Sequence, residues 1–453
     1  MQIDETITSR EIDDLLSPYF ELSGRKLDSI FASWRPESGT PVFTAGGRYT
    51  SQSWTEWTQG FMFGWALLQF EATGDERYLE MGRNGIVRHM ASHVTHIGVH
   101  DHGFNNVSTY GNLRRMMLEG LIPHNEWELH FYEMALKASG AVQASRWTTL
   151  ADGTGYIYSF NGPHSLFIDT IRSLRSLMIA HELDHVLMGE GDRPVSMLER
   201  IVHHAVNTVR YNIYYGEGRD AYDVRGRVAH EAIFNMNNGL FRCPNSQQGY
   251  SPFSTWTRGL AWAMLGVAEL IEFFSRIPRE ALEPWGGFDA IYGQMLKAAK
   301  ATADFYIDNT ALDGVPYWDT GAPGLVSLGD WRARPADPYN DHEPVDSSAA
   351  AIAAQALLKI GRHLEENSDP PGRAYFQAGL TVARTIFQPP YWTDSDHHQG
   401  LLLHSVYHRP NGWDHVPAGS RIPCGEACMW GDYHAMELAV YIKRMNNQRS
   451  FGA

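Results

Sequence analysis

Two aspartates, Asp101 and Asp169, stand at the starts of predicted apolar helices. Asp169 follows a Gly-Pro turn and opens an amphipathic helix, and Asp101 precedes a helix in the segment 100–104, His-Asp-His-Gly-Phe. An aspartate in a first helical turn commonly only complements the helix dipole. Two carboxylates from different helices are, however, what acid and base chemistry on a glycosidic linkage requires. The pair therefore predicts a site for sugar chemistry if the fold brings the two side chains together.

Three segments offer metal-ligand residue types, and we expect none of them to bind a metal. In the segment 100–102, His-Asp-His, adjacent side chains point apart and no second cluster has matching spacing. The segment 181–185 matches the zinc-protease pattern H-E-x-x-H, but it ends a predicted helix, where histidine is favoured anyway, and no third ligand follows at the usual spacing. Cys424 and Cys428 lack a second Cys or His pair. The sequence thus predicts no metal and no other cofactor.

Arg258 and Trp262 stand four residues apart near the start of another apolar helix. This spacing places a guanidinium and an indole on one helix face, where they could hold an anionic sugar by charge and by ring stacking. The same spacing also suits a structural pair in which the arginine packs on the tryptophan. The sequence leaves both interpretations open.

The elements that must position these residues are helices, because helical periodicity recurs from end to end and strand signals are sparse. The predicted helices span residues 12–32, 57–72, 76–94, 103–119, 127–146, 167–185, 196–211, 258–274, 291–308, 348–365, 374–387 and 426–443. Helices that are apolar nearly all round alternate with helices that have a polar face, which indicates inner and outer positions. This alternation predicts an all-α (α/α)6 toroid formed by residues 1–453 as a single domain. A solenoid of helix pairs is the competing architecture, but it would show a stricter repeat length.

Segments rich in Gly, Trp, His and Asp precede the predicted inner helices, among them residues 95–104, 243–259, 314–348 and 400–433. In a toroid these segments converge on one mouth and form a deep pocket of aromatic rings, carboxylates and imidazoles. Such a lining suits sugar rings, although many of the aromatic residues must also fill the core.

Composition and charge indicate which binding partners and which cellular compartment to expect for this protein. The 453 residues are 43% hydrophobic and carry a formal net charge of −15, which argues against a nucleic-acid partner. The N-terminus has no basic and apolar leader, and no apolar run approaches the length of about 18 residues that a membrane span needs. Three cysteines suit a reducing compartment. We therefore expect a cytoplasmic protein that is a monomer or a weak homo-oligomer.

Six segments, in this order, resemble the unsaturated glucuronyl hydrolases and together extend over most of the chain. They are Glu56-Trp57-Thr58-Gln59-Gly60-Phe61, His100-Asp101-His102-Gly103-Phe104, Phe167-Ile168-Asp169-Thr170, Gln248-Gly249-Tyr250-Ser251 with 254–259, Asp346-Ser347-Ser348-Ala349 with 350–353, and Trp430-Gly431-Asp432-Tyr433. Each segment is a weak signal alone, whereas six in the family's order are fairly specific. The family consists of (α/α)6 enzymes that remove the 4,5-unsaturated uronic acid that polysaccharide lyases leave at a non-reducing end.

The resemblance implies roles for particular residues. Asp169 matches the family's general acid and base, and Asp101 matches the second essential aspartate, which contacts ring hydroxyls. The positions that match the lining of the site for the terminal unsaturated sugar are Trp57, His100, Trp147, His230, Gln248, Arg258 and Trp262. Trp147 and His230 are matched mainly by their distances along the chain from Asp169 and Arg258.

The implied reaction is hydration of the vinyl ether of the unsaturated sugar, with Asp169 giving a proton to C4 while water adds at C5. This chemistry needs no metal if an apolar wall or the charge of Asp101 holds up the pKa of Asp169.

Arg172 departs from the family's pattern, and we expect it to turn away along a polar helix face. The alternatives are the related unsaturated rhamnogalacturonyl hydrolase, a sugar epimerase that would use paired histidines on the same toroid, and a non-catalytic oligosaccharide-binding toroid. The chain is longer than is usual for the family in 147–163, 278–288 and 321–344. The family's preference for the leaving group is therefore the property that we can least transfer to this chain.

Overall fold

The computed structural model describes residues 1–51 and 56–447, and within them the chain is mainly helical. The helices are α1 (Ser9–Ser33), α2 (Gln59–Thr73), α3 (Glu76–His89), α4 (Ala91–Val94), α5 (His102–Asn106), α6 (Asn112–Leu118), α7 (Glu126–Ser145), α8 (Thr170–Ser173), α9 (Arg175–Glu182), α10 (Met197–Tyr211), α11 (Thr257–Phe274), α12 (Phe288–Asp308), α13 (Ser347–Glu366), α14 (Gly372–Ile386) and α15 (Met429–Asn446). The strands are β1 (Pro41–Ala45), β2 (Arg48–Ser51), β3 (Trp147–Thr149), β4 (Gly155–Ile157), β5 (Ser165–Phe167), β6 (Val186–Met188), β7 (Pro194–Ser196), β8 (Glu231–Phe234) and β9 (Phe241–Asn245).

The inner helices form a closed ring in which α2, α5, α8, α11, α13 and α15 each contact the next and α15 contacts α2. The outer helices pack on them in hairpins such as α2 with α3, α11 with α12, and α13 with α14. The predicted fold class, an all-α toroid of helix pairs, is confirmed. We further propose that the chain is a single domain, because α1 packs on α15 and the inner ring closes between the two ends of the chain.

Burial on nearly all sides explains why the inner helices have apolar residues around most of their circumference. Almost every residue of α11 and α13 is buried, whereas α3 and α10 bury one face only. The inner helices also approach closely where they carry glycine. A Cβ atom at Gly60 of α2 would lie 2.4 Å from the carbonyl oxygen of Asn105, and one at Gly103 of α5 would lie 2.2 Å from that of Ser173. Glycine at these positions permits the tight ring.

Each predicted helix falls on an observed one, but three are interrupted. The helix predicted over 76–94 is α3 and α4, which are separated at Met90. The helix predicted over 103–119 is α5 and α6 joined by a π-helical turn, Val107–Gly111. The helix predicted over 167–185 begins instead as strand β5 and continues as α8 and α9. Strand β5 pairs antiparallel with β8, which pairs with β9, and this small sheet was not predicted. It is important for the site because β5 leads directly into Asp169.

Arg172 corrects an expectation from the sequence, because it lies on no polar face. Its side chain is 1% exposed, and its two terminal nitrogens lie 2.9 Å from Glu269 Oε1 and 3.1 Å from Glu437 Oε2. Helix α8 is an inner helix, so a charge on it must be compensated inside the ring. The two glutamates come from α11 and α15, and they hold the guanidinium deep in the ring.

None of the helices in residues 1–51 and 56–447 combines the length and the hydropathy that crossing a membrane requires.

Replacing Arg172 by Met should lower the free energy of unfolding, because Glu269 and Glu437 would remain buried without their main partner. Breaking such a pair costs about 3–5 kcal/mol, and we expect the lower end of that range because Arg175 lies 3.9 Å and 3.7 Å from the same glutamates. Urea unfolding followed by circular dichroism measures the change. As a control, the triple variant Arg172→Met/Glu269→Gln/Glu437→Gln should recover much of the loss. A single variant as stable as the wild type would contradict the prediction.

Candidate active site

A cavity of about 600 Å³ lies where the N-terminal ends of the inner helices meet. Seven of the nine residues predicted for the site line this cavity. They are Asp101, Asp169, Trp57, His100, Gln248, Arg258 and Trp262. The segments before the inner helices thus converge on one cup, as the sequence predicted, and aromatic rings form much of its wall.

Asp101, Asp169 and His100 form a buried cluster at this cup. The Nε2 atom of His100 lies 3.7 Å from Asp101 Oδ1 and 3.7 Å from Asp169 Oδ1. One side-chain oxygen or nitrogen atom from each of the three residues lies within 4.8 Å of the other two, and each residue is less than a tenth exposed. The two carboxylates therefore meet at one place, although they come from different inner helices.

Neither aspartate acts as a helix cap. Asp169 occupies the N-cap position of α8 and Asp101 that of α5, but neither carboxylate accepts a hydrogen bond from the first turn of its helix. In contrast, the carboxylate of Asp346 caps α13 by accepting the N–H groups of Ser348 and Ala349. A capping hydrogen bond therefore does not account for the aspartates at these two positions.

The electrostatics of the cluster favour a shared proton. Burial raises the pKa of Asp169, but His100, together with His230, outweighs burial, so this pKa lies below its usual range. Burial raises the pKa of Asp101 more than His100 lowers it. Burial alone would lower the pKa of His100, but the two carboxylates raise it above its ordinary value. His100 and Asp101 thus hold a proton more readily than usual and Asp169 less readily, so the expectation that the pKa of Asp169 would be held up is wrong in direction.

Arg258 is held by the protein on several sides. Its terminal nitrogens donate hydrogen bonds to Asp346 Oδ2 at 2.9 Å, to Gln248 Oε1 at 3.0 Å and to the backbone carbonyls of Val406 and Tyr407. The guanidinium carbon also lies 4.6 Å and 4.9 Å from the ring centroids of Trp256 and Trp430. The cation–π partners are thus these two rings, whereas the sequence suggested Trp262. With its charge paired to Asp346, Arg258 fixes the cavity wall.

Aromatic rings form the apolar part of the cup. Trp57 stacks on Trp430 with centroids 5.0 Å apart, and Trp262 packs against Phe104 at 4.8 Å. Phe160 also lines the cavity and lies parallel to the ring of His100 at 5.9 Å. Such rings offer flat faces on which a sugar can stack.

His230 lies behind the cavity wall rather than on it. Its Nδ1 accepts the backbone N–H groups of Gln247 and Gln248 at 2.9 Å and 3.3 Å. The neutral ring therefore carries its proton on Nε2, which is buried and has no hydrogen-bond partner among the described residues. Burial lowers the pKa of His230 to about 4. The strand pair β5 and β8 brings this histidine beside Asp169, since the N–H of Ile168 donates to the carbonyl of His230 at 2.9 Å.

Trp147 does not line the cavity, which corrects the position inferred from the resemblance. It belongs to β3, where the guanidinium of Arg200 lies 3.8 Å from the centre of its ring and His203 stacks on it. Phe160 supplies an aromatic wall instead, thirteen residues further along the chain. Distance along the chain was a poor guide here because residues 147–157 fold as a hairpin of β3 and β4.

Individual residues of the turn 407–413 were not predicted from the sequence, although the whole segment 400–433 was expected at the mouth. Four of them line the cavity: Tyr407, His408, Asn411 and Trp413. The aromatic and polar composition of Tyr-His-Arg-Pro-Asn-Gly-Trp was the available signal.

Within the described residues, His100, Asp101 and Asp169 are the one group of three whose ligand-type atoms lie close enough to share a cation. The segment 181–185 forms no such group, because His181 packs against Phe273 and Glu182 pairs with Arg276.

Comparison with known proteins relates this geometry to an activity. No family model matches the chain. The chain is 26% identical over 419 residues to the unsaturated glucuronyl hydrolase of Bacillus sp. (strain GL1), which covers 89% of this chain and 90% of that protein. It is 22% identical over 413 residues to the unsaturated chondroitin disaccharide hydrolase of Streptococcus agalactiae serotype III, with 89% and 85% covered. The crystal structure of the unsaturated glucuronyl hydrolase from Bacillus sp. GL1 matches with a TM-score of 0.69 at 23% identity, over 95% of this chain and 96% of that one. The resemblance inferred from the motifs is therefore confirmed: over most of its length the chain is similar to the unsaturated glucuronyl hydrolases.

Proposed function

We propose that this chain is a glycoside hydrolase that removes the 4,5-unsaturated uronic acid from the non-reducing end of oligosaccharides made by polysaccharide lyases. The observation that carries the proposal is the pair of buried, uncapped carboxylates of Asp101 and Asp169, each 3.7 Å from one nitrogen of His100. The similarity to unsaturated glucuronyl hydrolases along nine tenths of the chain supports the same activity.

In the proposed reaction, the C4=C5 double bond is hydrated. The carboxyl of Asp169 gives its proton to C4, and water adds its oxygen at C5 while the carboxylate takes a proton from that water. The hemiketal at C5 then opens, the glycosidic bond breaks, and the products are a 4-deoxy-5-keto uronic acid and the shortened sugar. Atoms balance because one water is consumed and Asp169 ends in the state in which it began.

His100 supplies the proton that Asp169 lacks in the free protein. Binding of an anionic sugar adds negative charge and displaces water, and both effects raise the pKa of a nearby carboxyl. The shared proton then moves from the imidazolium of His100 to Asp169, across the 3.7 Å between them. Asp101 remains to accept hydrogen bonds from ring hydroxyls. Trp57, Trp262 and Phe160 bind the faces of the ring.

The buried pair of Asp101 and Asp169, which share one imidazole, favours hydrolysis over epimerisation, although histidines also line the cavity. An unsaturated rhamnogalacturonyl hydrolase would use the same chemistry on a different leaving group. A panel of unsaturated disaccharides from hyaluronan, chondroitin, heparin, ulvan and pectin separates the two hydrolases. We propose that the enzyme acts in the cytoplasm as a monomer or a weak homo-oligomer, in keeping with its three free cysteines and its net charge of −15.

Replacing Asp169 by Asn should abolish the loss of ultraviolet absorbance that accompanies saturation of the conjugated double bond. Removing a general acid and base typically costs about 10²–10⁴-fold in turnover. The fold should persist, because the carboxylate makes no capping contact that the amide would break. Glu182→Gln, at an exposed position of the H-E-x-x-H segment, is the matched control and should keep wild-type turnover. A turnover near normal in Asp169→Asn would refute the assignment.

The pH profile of kcat/KM should decline as pH rises through the raised pKa of His100, because the cluster then loses the proton that the reaction uses. Below this pKa the cluster is protonated and the rate is maintained. In His100→Gln the proton can reside only on carboxyls, so the decline of the residual activity should move to lower pH. An alkaline decline that stays at the same pH in His100→Gln would show that another group controls it. His415→Gln, at a partly exposed histidine, should keep the wild-type profile.

Dialysis against EDTA should leave turnover unchanged, because the proposed steps use only protein groups and water. The readout is the same absorbance assay on protein treated with and without chelator. Activity that is lost on dialysis and returns with a divalent cation would place an ion among His100, Asp101 and Asp169 and would replace the proposed mechanism.

A further inference from the structure

The turn 407–413 forms a part of the cavity wall that the reaction above does not use. Its residues Tyr407, His408, Asn411 and Trp413 line the cup together with Gln248 and Arg258. Asp414 fixes the turn, because its carboxylate accepts hydrogen bonds from the backbone N–H groups of Tyr407 and His408. A wall held in this way can present a side chain in one orientation.

His408 is oriented as a hydrogen-bond donor. Its Nδ1 accepts the backbone N–H of Asn411 at 3.2 Å, so the neutral ring carries its proton on Nε2. The residue is 3% exposed, and its ring packs against that of Trp413 at 4.7 Å. Burial, with the charges of Arg258 and His230, lowers the pKa of His408 to about 4. At neutral pH it is therefore an uncharged N–H donor in a fixed place.

Gln248 is oriented in the same sense by Arg258. Its Oε1 accepts from Arg258 Nη2 at 3.0 Å, which leaves the amide N–H groups of the side chain as donors. The same Nη2 donates to the carbonyl of Tyr407 at 2.7 Å, so one guanidinium holds both Gln248 and the turn that carries His408. Because Arg258 is itself paired with Asp346, it contributes position rather than a free positive charge.

The cup thus has two chemically different walls. Asp101 and Asp169 form a wall of acceptors, which suits sugar hydroxyls, whereas His408 and Gln248 form a wall of donors held by Arg258. A carboxylate has only acceptor oxygens when ionised, so it matches the donor wall rather than the two carboxylates of the acceptor wall. We propose that Nε2 of His408, with the amide of Gln248, binds the carboxylate of the terminal uronic acid, and that His408 makes the site select acidic over neutral sugars. This inference rests on the proposed function and assigns a specificity residue within it.

The test compares an unsaturated disaccharide with its methyl ester, which keeps the reacting double bond and removes the negative charge. Loss of a hydrogen bond to a charged group corresponds to about 10- to 100-fold in binding. In His408→Phe we expect kcat/KM for the acid to fall by about this factor, mainly through KM, and kcat/KM for the ester to change by less than about twofold. His408→Gln, whose amide can reach the position of Nε2, should recover most of the preference for the acid. His415→Phe, eight residues from Tyr407 and outside the cavity, is the control and should behave as wild type.

Two outcomes would overturn the inference. Equal losses on acid and ester would mean that the ring of His408 only supports the wall, and an unchanged ratio in every variant would place carboxylate recognition elsewhere. Turnover of the acid by the wild type tests the proposed function separately. If the wild type turns over neither substrate, calorimetric binding of the acid and the ester to the same variants decides the inference, since a selective loss of acid binding in His408→Phe would support it and an equal loss would refute it.

Discussion

The site depends on the burial of two carboxylates within reach of one imidazole. Two negative charges this close repel strongly in a low-dielectric cavity unless a proton or a cation lies between them. His100 provides the proton, and its raised pKa is the consequence. The same constraint explains why Arg258 is paired with Asp346, since a free guanidinium in the cup would attract Asp169 and hold it ionised. The cation near the substrate is therefore an imidazolium, which can give up its proton, and not an arginine, which cannot.

The residues proposed for the reaction and the buried ion network lie at different positions along the inner helices. Their N-terminal ends carry Asp101, Asp169 and Arg258, whereas the ion network of Arg172, Glu269 and Glu437 lies further along the same ring. On α11, Arg258 and Glu269 are eleven residues apart, which corresponds to about 16 Å of helix. Asp169 and Arg172 are separated by only one turn, so the two glutamates are needed to compensate the arginine close to the acid. The ring can thus contain a strong cation without disturbing the proton chemistry above it.

Helical periodicity predicted most of the fold, because inner and outer helices bury different fractions of their surface. Inner helices therefore carry apolar residues on nearly all sides, whereas outer helices have a polar face. What the periodicity could not predict is long-range pairing. Strand β5 has three residues, and its partner β8 lies more than sixty residues later, so no local pattern signals the sheet that places Asp169 beside His230. Trp147 was misplaced for the same reason, since counting residues along the hairpin of β3 and β4 does not show which way its side chains face. The burial of Arg172 depends on glutamates of α11 and α15, and the lowered pKa of Asp169 depends on His100 and His230 in two separate loops, which one local segment does not reveal.

Different elements support the two walls of the cup. The acceptor wall stands on the starts of α5 and α8 and on the sheet of β5, β8 and β9. The donor wall stands on loops whose backbone is held by carboxylates, as Asp414 holds the turn 407–413 and Asp319 accepts the N–H of Tyr250 at 2.8 Å. A loop fixed by its own carboxylates can change at its exposed residues without moving a helix start. Recognition of the sugar and its leaving group can therefore diverge within this fold while the arrangement of His100, Asp101 and Asp169, and with it the proposed reaction, stays the same.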